Sequence, residues 1–219
     1  MSTQTSTAAT FRVSALLKAL RVMWKAAGPA LLFIVVNMVV QAGLTYIDTQ
    51  SGFSASFLIG LIVSAIMAMS LYAVLTACAL HAVGPATSTV MARVRENLGI
   101  FTMWALVQWL LVFIAALIHP GVVLLVAVLT PFLPIAAMDG HRNALAVNFR
   151  TLGGHVGRWL LTSLVLLVAG VVLYLLAAVN TFFVKGTPAS VFFWLVIGVV
   201  SWWLLTAWTL IYRKARGED

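Results

Sequence analysis

The sequence has few acidic side chains: five Asp and Glu stand against thirteen Lys and Arg in 219 residues. Charged residues of both signs make up 8% of the chain, whereas about a quarter is usual for soluble domains. The single cysteine excludes an internal disulfide and any multi-cysteine metal or haem-attachment motif. The sequence also lacks a glycine-rich phosphate loop, a nucleophile elbow and an HExxH motif. We therefore expect no enzyme activity.

Long uncharged stretches take the place of these features, and 63% of the residues are hydrophobic. A membrane-spanning helix needs about 20 mostly apolar residues. The pattern predicts an all-α integral membrane protein with six transmembrane helices in three hairpins. The predicted spans lie at about 29–47, 55–83, 98–118, 121–138, 159–179 and 191–212. They form one membrane domain, residues 11–212, between a disordered N-terminal tip at 1–10 and a tail at 213–219.

The basic residues predict an orientation. Six spans place twelve of the thirteen on one side of the membrane and only Lys185 on the other, whereas five or seven spans would scatter them. Lys and Arg are enriched in cytoplasmic loops. We therefore expect a multi-pass protein of the bacterial cytoplasmic (inner) membrane with both termini in the cytoplasm. Because the basic residues are dispersed over four segments, we expect no nucleic-acid partner.

Amphipathic helices are predicted on the cytoplasmic side, before spans 1 and 5. The apolar face of the first holds Val13, Leu17, Leu20 and Trp24, and that of the second holds Leu145, Phe149, Leu152 and Val156. Such helices rest among lipid headgroups with their cations near anionic phosphates. The expected headgroup contacts are Arg12, Lys18, Arg21, Lys25, Arg150 and Arg158. Internal duplication and convergence on an interfacial composition both explain the similarity of the two segments.

Three patterns inside the spans concern helix contacts. Asn37, Gln41 and Thr45 recur every fourth residue in span 1, with Gln108 of span 3 as a candidate partner, and indicate either polar packing or a substrate path. A face of small residues in span 2 predicts close helix packing, within the chain or against another subunit; it holds Ser56, Gly60, Ser64 and Ala68. Pro131 and Pro134 predict a kink in span 4.

Four side chains near the predicted cytoplasmic face have the chemistry of metal ligands, namely His81, Asp139, His141 and His155. Their spacing matches no established metal motif. Headgroup-level histidines and a helix-capping aspartate explain the same residues. They are candidates for a metal site, and we expect no cofactor.

The segment TPFLPIAAMDGHRNALAVNFRTLGGHVGRWLL, residues 130–161, resembles a segment of small bacterial six-span membrane families. These are the YciC-like proteins and the membrane domain associated with some glycerophosphodiester phosphodiesterases. In them a proline-containing span leads through a short loop and an amphipathic helix to the next span. The positions that carry over are Pro131, Pro134, Ala144, Leu145 and Asn148. The resemblance implies the six-span plan and no catalytic residue, and the sequence has no soluble phosphodiesterase domain.

Two function classes remain open from the sequence. The first is a non-catalytic accessory or scaffold component of a membrane complex, or a protein that organises lipid. The alternative is a small permease or a transporter of lipids or small molecules. A third, an intramembrane metalloenzyme, rests only on the histidines. The expected partners are membrane lipids, including anionic headgroups, and either a partner membrane subunit or further copies of this chain.

Overall fold

The computed structural model describes residues 16–46, 54–85, 88–153 and 187–217, together with Leu164, Val165 and Val168. No strand occurs among these residues. The helices of the continuous ranges are α1 (Leu16–Leu44, with a 3-10 turn at Met23–Ala26), α2 (Ala55–Val83), α3 (Val90–Ile118), α4 (Pro120–Leu129), α5 (Leu133–Met138), α6 (Ala144–Gly153) and α7 (Thr187–Ala215).

Five segments of the described chain are long and apolar enough to cross a membrane: α1, α2, α3, α7 and the stretch Gly121–Met138, which contains most of α4 and all of α5. The four longest have 29 residues each and extend about 43 Å, compared with the roughly 30 Å hydrocarbon core of a bilayer. These lengths and compositions are those of a multi-pass membrane protein. The predicted span 159–179 lies outside the described residues apart from Leu164, Val165 and Val168.

Side chains at the helix ends set the boundaries. The side chain of Ser54 accepts a hydrogen bond from the N–H of Phe57 at the start of α2, and Thr89 accepts from Ala92 at the start of α3. His119 separates α3 from α4, because its ring accepts from the N–H of Gly121 while Pro120 occupies the first turn of α4. These caps satisfy N–H groups that have no partner within the helix.

The first amphipathic segment is continuous with the first apolar helix. The helix runs from Leu16 through the 3-10 turn to Leu44. Ala19 and Met23 are buried, whereas Leu17, Leu20 and Trp24 remain exposed. The described part of this segment is therefore an extension of α1, with its larger apolar side chains directed away from the protein core.

Two groups of helices share the core. The helices α1, α2 and α7 pack against one another, while α3 packs on α2, α4 and α5. Gly198 of α7 allows the closest approach, because a Cβ at this position would lie 2.9 Å from two γ-carbons of the fully buried Ile34. The buried residues concentrate in the second half of α2, in α5 and in the second half of α7.

These concentrations lie at one end of the bundle, where α2 and α7 end and α3 begins. We call it the basic end, since Arg93, Arg213 and Arg216 lie there. At the opposite end, the hydroxyl of Thr187 at the start of α7 donates to Tyr46 Oη at 2.9 Å, just beyond the end of α1.

Candidate functional site

The helix that carries the two predicted kink residues is interrupted rather than bent. The helix α4 ends at Leu129 and α5 begins at Leu133, with Pro131 between them and Pro134 in the first turn of α5. Every residue from Thr130 to Met138 is buried. Proline lacks an N–H and clashes with the preceding turn, so the two prolines account for the interruption.

Gln108 of α3 holds one side of this interruption. Its Nε2 donates to both the carbonyl oxygen and the hydroxyl oxygen of Thr130, each at 3.0 Å. Its Oε1 accepts from the hydroxyl of Tyr72 at 2.9 Å. The sequence makes Gln108 a candidate partner of the polar residues of span 1, whereas in the structure it bonds to Thr130 and Tyr72.

Asn148 of α6 holds the other side. Its Oδ1 accepts from the N–H of Phe132 at 3.0 Å, and its Nδ2 donates to the carbonyl of Leu129 at 2.7 Å. One fully buried side chain thus satisfies a donor and an acceptor that the interruption would otherwise leave unpaired in an apolar interior.

The face by which α6 packs differs in part from the predicted apolar face. The buried residues are Ala144, Asn148, Thr151 and Leu152. Phe149 is exposed, and Leu145 is only half-buried. The need to satisfy the interrupted backbone orients this helix, so a polar side chain faces the core while an aromatic one faces outward.

The polar residues of α1 face α2 and α7. Ser64 Oγ donates to Gln41 Oε1 at 2.9 Å, and Gln41 Nε2 donates to the Ser64 carbonyl at 3.3 Å. Gly60 and Ser64 of the small-residue face therefore face α1 of the same chain. Ser56 is exposed and Ala68 is half-buried.

A groove of about 300 Å³ lies at this contact. Its lining residues come from α1, α2 and α7 and include Gln41, Thr45, Ser64, Ser190 and Trp194. One turn from Gln41, Asn37 is fully buried, and neither atom of its amide has a hydrogen-bond partner among the described residues. The groove thus combines apolar walls with a few polar atoms, as small-molecule sites do.

A cluster of charged residues occupies the basic end around Asp139. Oδ1 of Asp139 lies 3.5 Å from Nη1 of Arg93 and 3.5 Å from Nη2 of Arg213. Oδ2 of Asp139 accepts a hydrogen bond from the hydroxyl of Tyr212 at 3.1 Å. Arg216 donates to that hydroxyl at 2.9 Å and contacts the ring of His141. We call these six side chains the Asp139 cluster.

Gly140 shapes the turn that positions Asp139 and His141. Its φ of +87° lies in the left-handed region that favours glycine. The N–H groups of Gly140 and His141 donate to the carbonyls of Ala137 and Ala136, which closes the end of α5. The local sequence MDGH therefore fixes the carboxylate at the end of a buried helix.

Two of the metal candidates, Asp139 and His141, lie together in the described structure, whereas His81 contacts a different part of the chain. Nδ1 of His81 lies 3.1 Å from the carbonyl of Ser88, and His141 Nε2 lies 3.8 Å from Asp139 Oδ2. Among the described residues, no group of three or more potential metal-ligating side chains has a suitable arrangement. His155 lies outside the described residues.

Of the expected lipid contacts, Lys18, Arg21, Lys25 and Arg150 are exposed, and Arg12 and Arg158 lie outside the described residues.

Sequence reasoning missed the roles of Arg93, Tyr212 and Arg213 around Asp139. One signal was available, because Asp139 is the only acidic residue between Glu96 and Glu218 and has basic residues on either side of it in the sequence.

The resemblance of residues 130–161 to the YciC-like proteins and to phosphodiesterase membrane domains stays a prediction, because no protein-family model, curated protein or solved structure matches this chain.

Proposed function

We propose that this chain is a non-catalytic, six-span protein of the bacterial cytoplasmic membrane that serves as an accessory or lipid-organising component. The observation that supports this proposal most is that polar side chains of the apolar helices form hydrogen bonds from one helix to another. Gln41 pairs with Ser64, Gln108 joins Tyr72 to Thr130, and Asn148 spans the interruption between α4 and α5. These groups hold helices together, as polar side chains commonly do in membrane bundles.

The positions of the helix ends support six crossings. Asp139 lies at the basic end, in contact with Arg213, whereas Thr187 lies at the opposite end, in contact with Tyr46. The chain between Asp139 and Thr187 therefore leads from one end of the bundle to the other. The excess of basic residues at this end supports a cytoplasmic orientation for it, because Lys and Arg are enriched in cytoplasmic loops.

Exposed residues of α1 support contact with anionic lipid. Lys18, Arg21 and Lys25 are exposed at the start of this helix, close to the exposed ring of Trp24. Cations attract the phosphates of the cytoplasmic leaflet, and tryptophan favours the membrane interface.

We expect the protein extracted from its native membrane in lipid nanodiscs to carry a stoichiometric membrane partner or tightly held anionic lipids. The measurement is the mass of the intact particle and of its components. A carrier nanodisc purified in parallel without this chain gives the background lipid composition. Particles that contain only this chain, with lipids in the background proportions, would contradict the proposal.

The groove favours a second function, that of a small permease or lipid transporter. It is lined by Gln41, Thr45 and Ser64. The amide of Asn37, which has no hydrogen-bond partner in the described part of the chain, lies one turn deeper. A transport path requires water or substrate to reach Asn37, whereas an accessory protein requires only that this position be packed.

Thiol labelling separates the two functions. In a Cys78→Ser background, we expect Asn37→Cys to resist a membrane-impermeant maleimide, because Asn37 is fully buried. Thr45→Cys is the matched control and is expected to react, since Thr45 is exposed beside the groove. Labelling of Asn37→Cys at a rate near that of Thr45→Cys would favour the transport function.

A further inference from the structure

Arg93 is held in an unusual environment at the basic end. Its side chain is 11% exposed, and among the described residues its ion pair is with Asp139, at 3.5 Å. Asp139 Oδ1 lies at the same distance from the guanidinium of Arg213, whose side chain is 12% exposed. Two nearly buried guanidinium groups therefore converge on one carboxylate oxygen.

The guanidinium of Arg93 also has an N–H group that makes no hydrogen bond to the described residues. Its Nε is buried and has no hydrogen-bond acceptor within the described part of the chain. A guanidinium carries five N–H donors in a planar fork, and a buried charged donor without an acceptor is costly. An anion that reached this position would accept a hydrogen bond from the guanidinium of Arg93.

The depth of Arg93 identifies the anions that it can meet. It is the fourth residue of α3, whose 29 residues extend about 43 Å. This exceeds the roughly 30 Å hydrocarbon core of a bilayer, so the first turn of α3 lies at headgroup level. Lipid phosphates are concentrated at this level, and basic pockets between membrane helices are known to bind such headgroups.

We propose that the Asp139 cluster binds a phosphate-bearing anion, with Arg93 as the residue that contacts it. The planar fork of arginine matches two phosphate oxygens at once. The accessible edge of the cluster, at the half-buried His141 and the exposed Arg216, provides the approach. The phosphodiester of an anionic lipid and free inorganic phosphate share this chemistry. The inference rests on the proposed lipid-organising function and names one site for it.

The test uses the purified, delipidated full-length protein in detergent. Phosphatidylglycerol, phosphatidylcholine or inorganic phosphate is titrated while thermal unfolding is followed by tryptophan fluorescence. We expect phosphatidylglycerol to raise the melting temperature and Arg93→Gln to weaken its apparent affinity about tenfold, the effect of one charge-assisted hydrogen bond. Arg95→Gln removes the same charge from an exposed position on the same helix and is expected to leave the affinity within about twofold.

The outcomes distinguish a lipid headgroup, free phosphate and the absence of an anion site. Protection by phosphatidylglycerol that depends on Arg93 supports a lipid headgroup, and equal protection by inorganic phosphate with the same dependence supports a soluble source. Protection by neither ligand, or equal losses in Arg93→Gln and Arg95→Gln, would overturn the site. Should Arg93→Gln fail to fold, Arg93→Lys carries the comparison, because it keeps the charge and loses the fork. Since the purified chain is used, this result is independent of whether a partner protein copurifies from the native membrane.

Discussion

Replacement of Asn148 by alanine is expected to lower the free energy of unfolding by about 4 kcal/mol. The change leaves the N–H of Phe132 and the carbonyl of Leu129 unpaired in a fully buried site. An unsatisfied buried polar group costs about 1–3 kcal/mol, and two are created here. The measurement is reversible unfolding in mixed micelles, followed by tryptophan fluorescence.

Asn143→Ala is the matched control for this substitution. Asn143 is exposed, and its side chain accepts one hydrogen bond, from the N–H of Ala146 near the start of the same helix. Loss of such a cap costs about 1 kcal/mol. Asn148→Asp keeps the acceptor, loses the donor and buries a charge, so it should destabilise at least as strongly as alanine. Equal losses in Asn148→Ala and Asn143→Ala would show that Asn148 does not hold the interruption.

The second large effect is expected at Gly198. A Gly198→Val substitution places a branched side chain where even a Cβ lies 2.9 Å from two carbons of Ile34. Ile34 is fully buried between helices and has little room to move. Overpacking of this kind costs about 3 kcal/mol, so we expect α7 to separate from α1 and the unfolding midpoint to fall in the same micelle assay.

Gly99→Val provides the control for Gly198, because a Cβ at Gly99 meets nothing within 4 Å. Its effect is expected to be small. Ile34→Ala should partly rescue Gly198→Val, since it removes the atoms in the clash, and a double-mutant cycle measures this coupling. Additive effects of the two changes would contradict the close contact.

The long apolar helices could be located from the sequence. In lipid every backbone polar group must be satisfied, so an apolar run of sufficient length forms a helix. The segments 55–83 and 121–138 have the same bounds in the sequence analysis and in the structure. The structural helices α1 and α3 begin earlier than their predicted spans, at Leu16 and Val90, because the polar residues before each apolar run continue the helix.

The side-chain pairings could not be read from the sequence. Periodicity shows which residues share a face of one helix, and it carries no information about the helix that this face meets. The positions of Gln108 and Asn148 depend on where α4 is interrupted, and prolines predict only that it deviates. Asp139 meets Arg93 and Arg213 through a turn whose direction depends on the conformation of Gly140.

The amide bridge of Asn148 has a consequence for biosynthesis. Ribosomes make α4 and α5 before the residue that satisfies the backbone between them, so this segment enters the membrane with two polar groups that only a later part of the chain can pair. Lipid offers no substitute partner. We therefore expect this segment to remain in the water-accessible environment of the insertion machinery, or beside α3, until α6 has been synthesised and has packed against it.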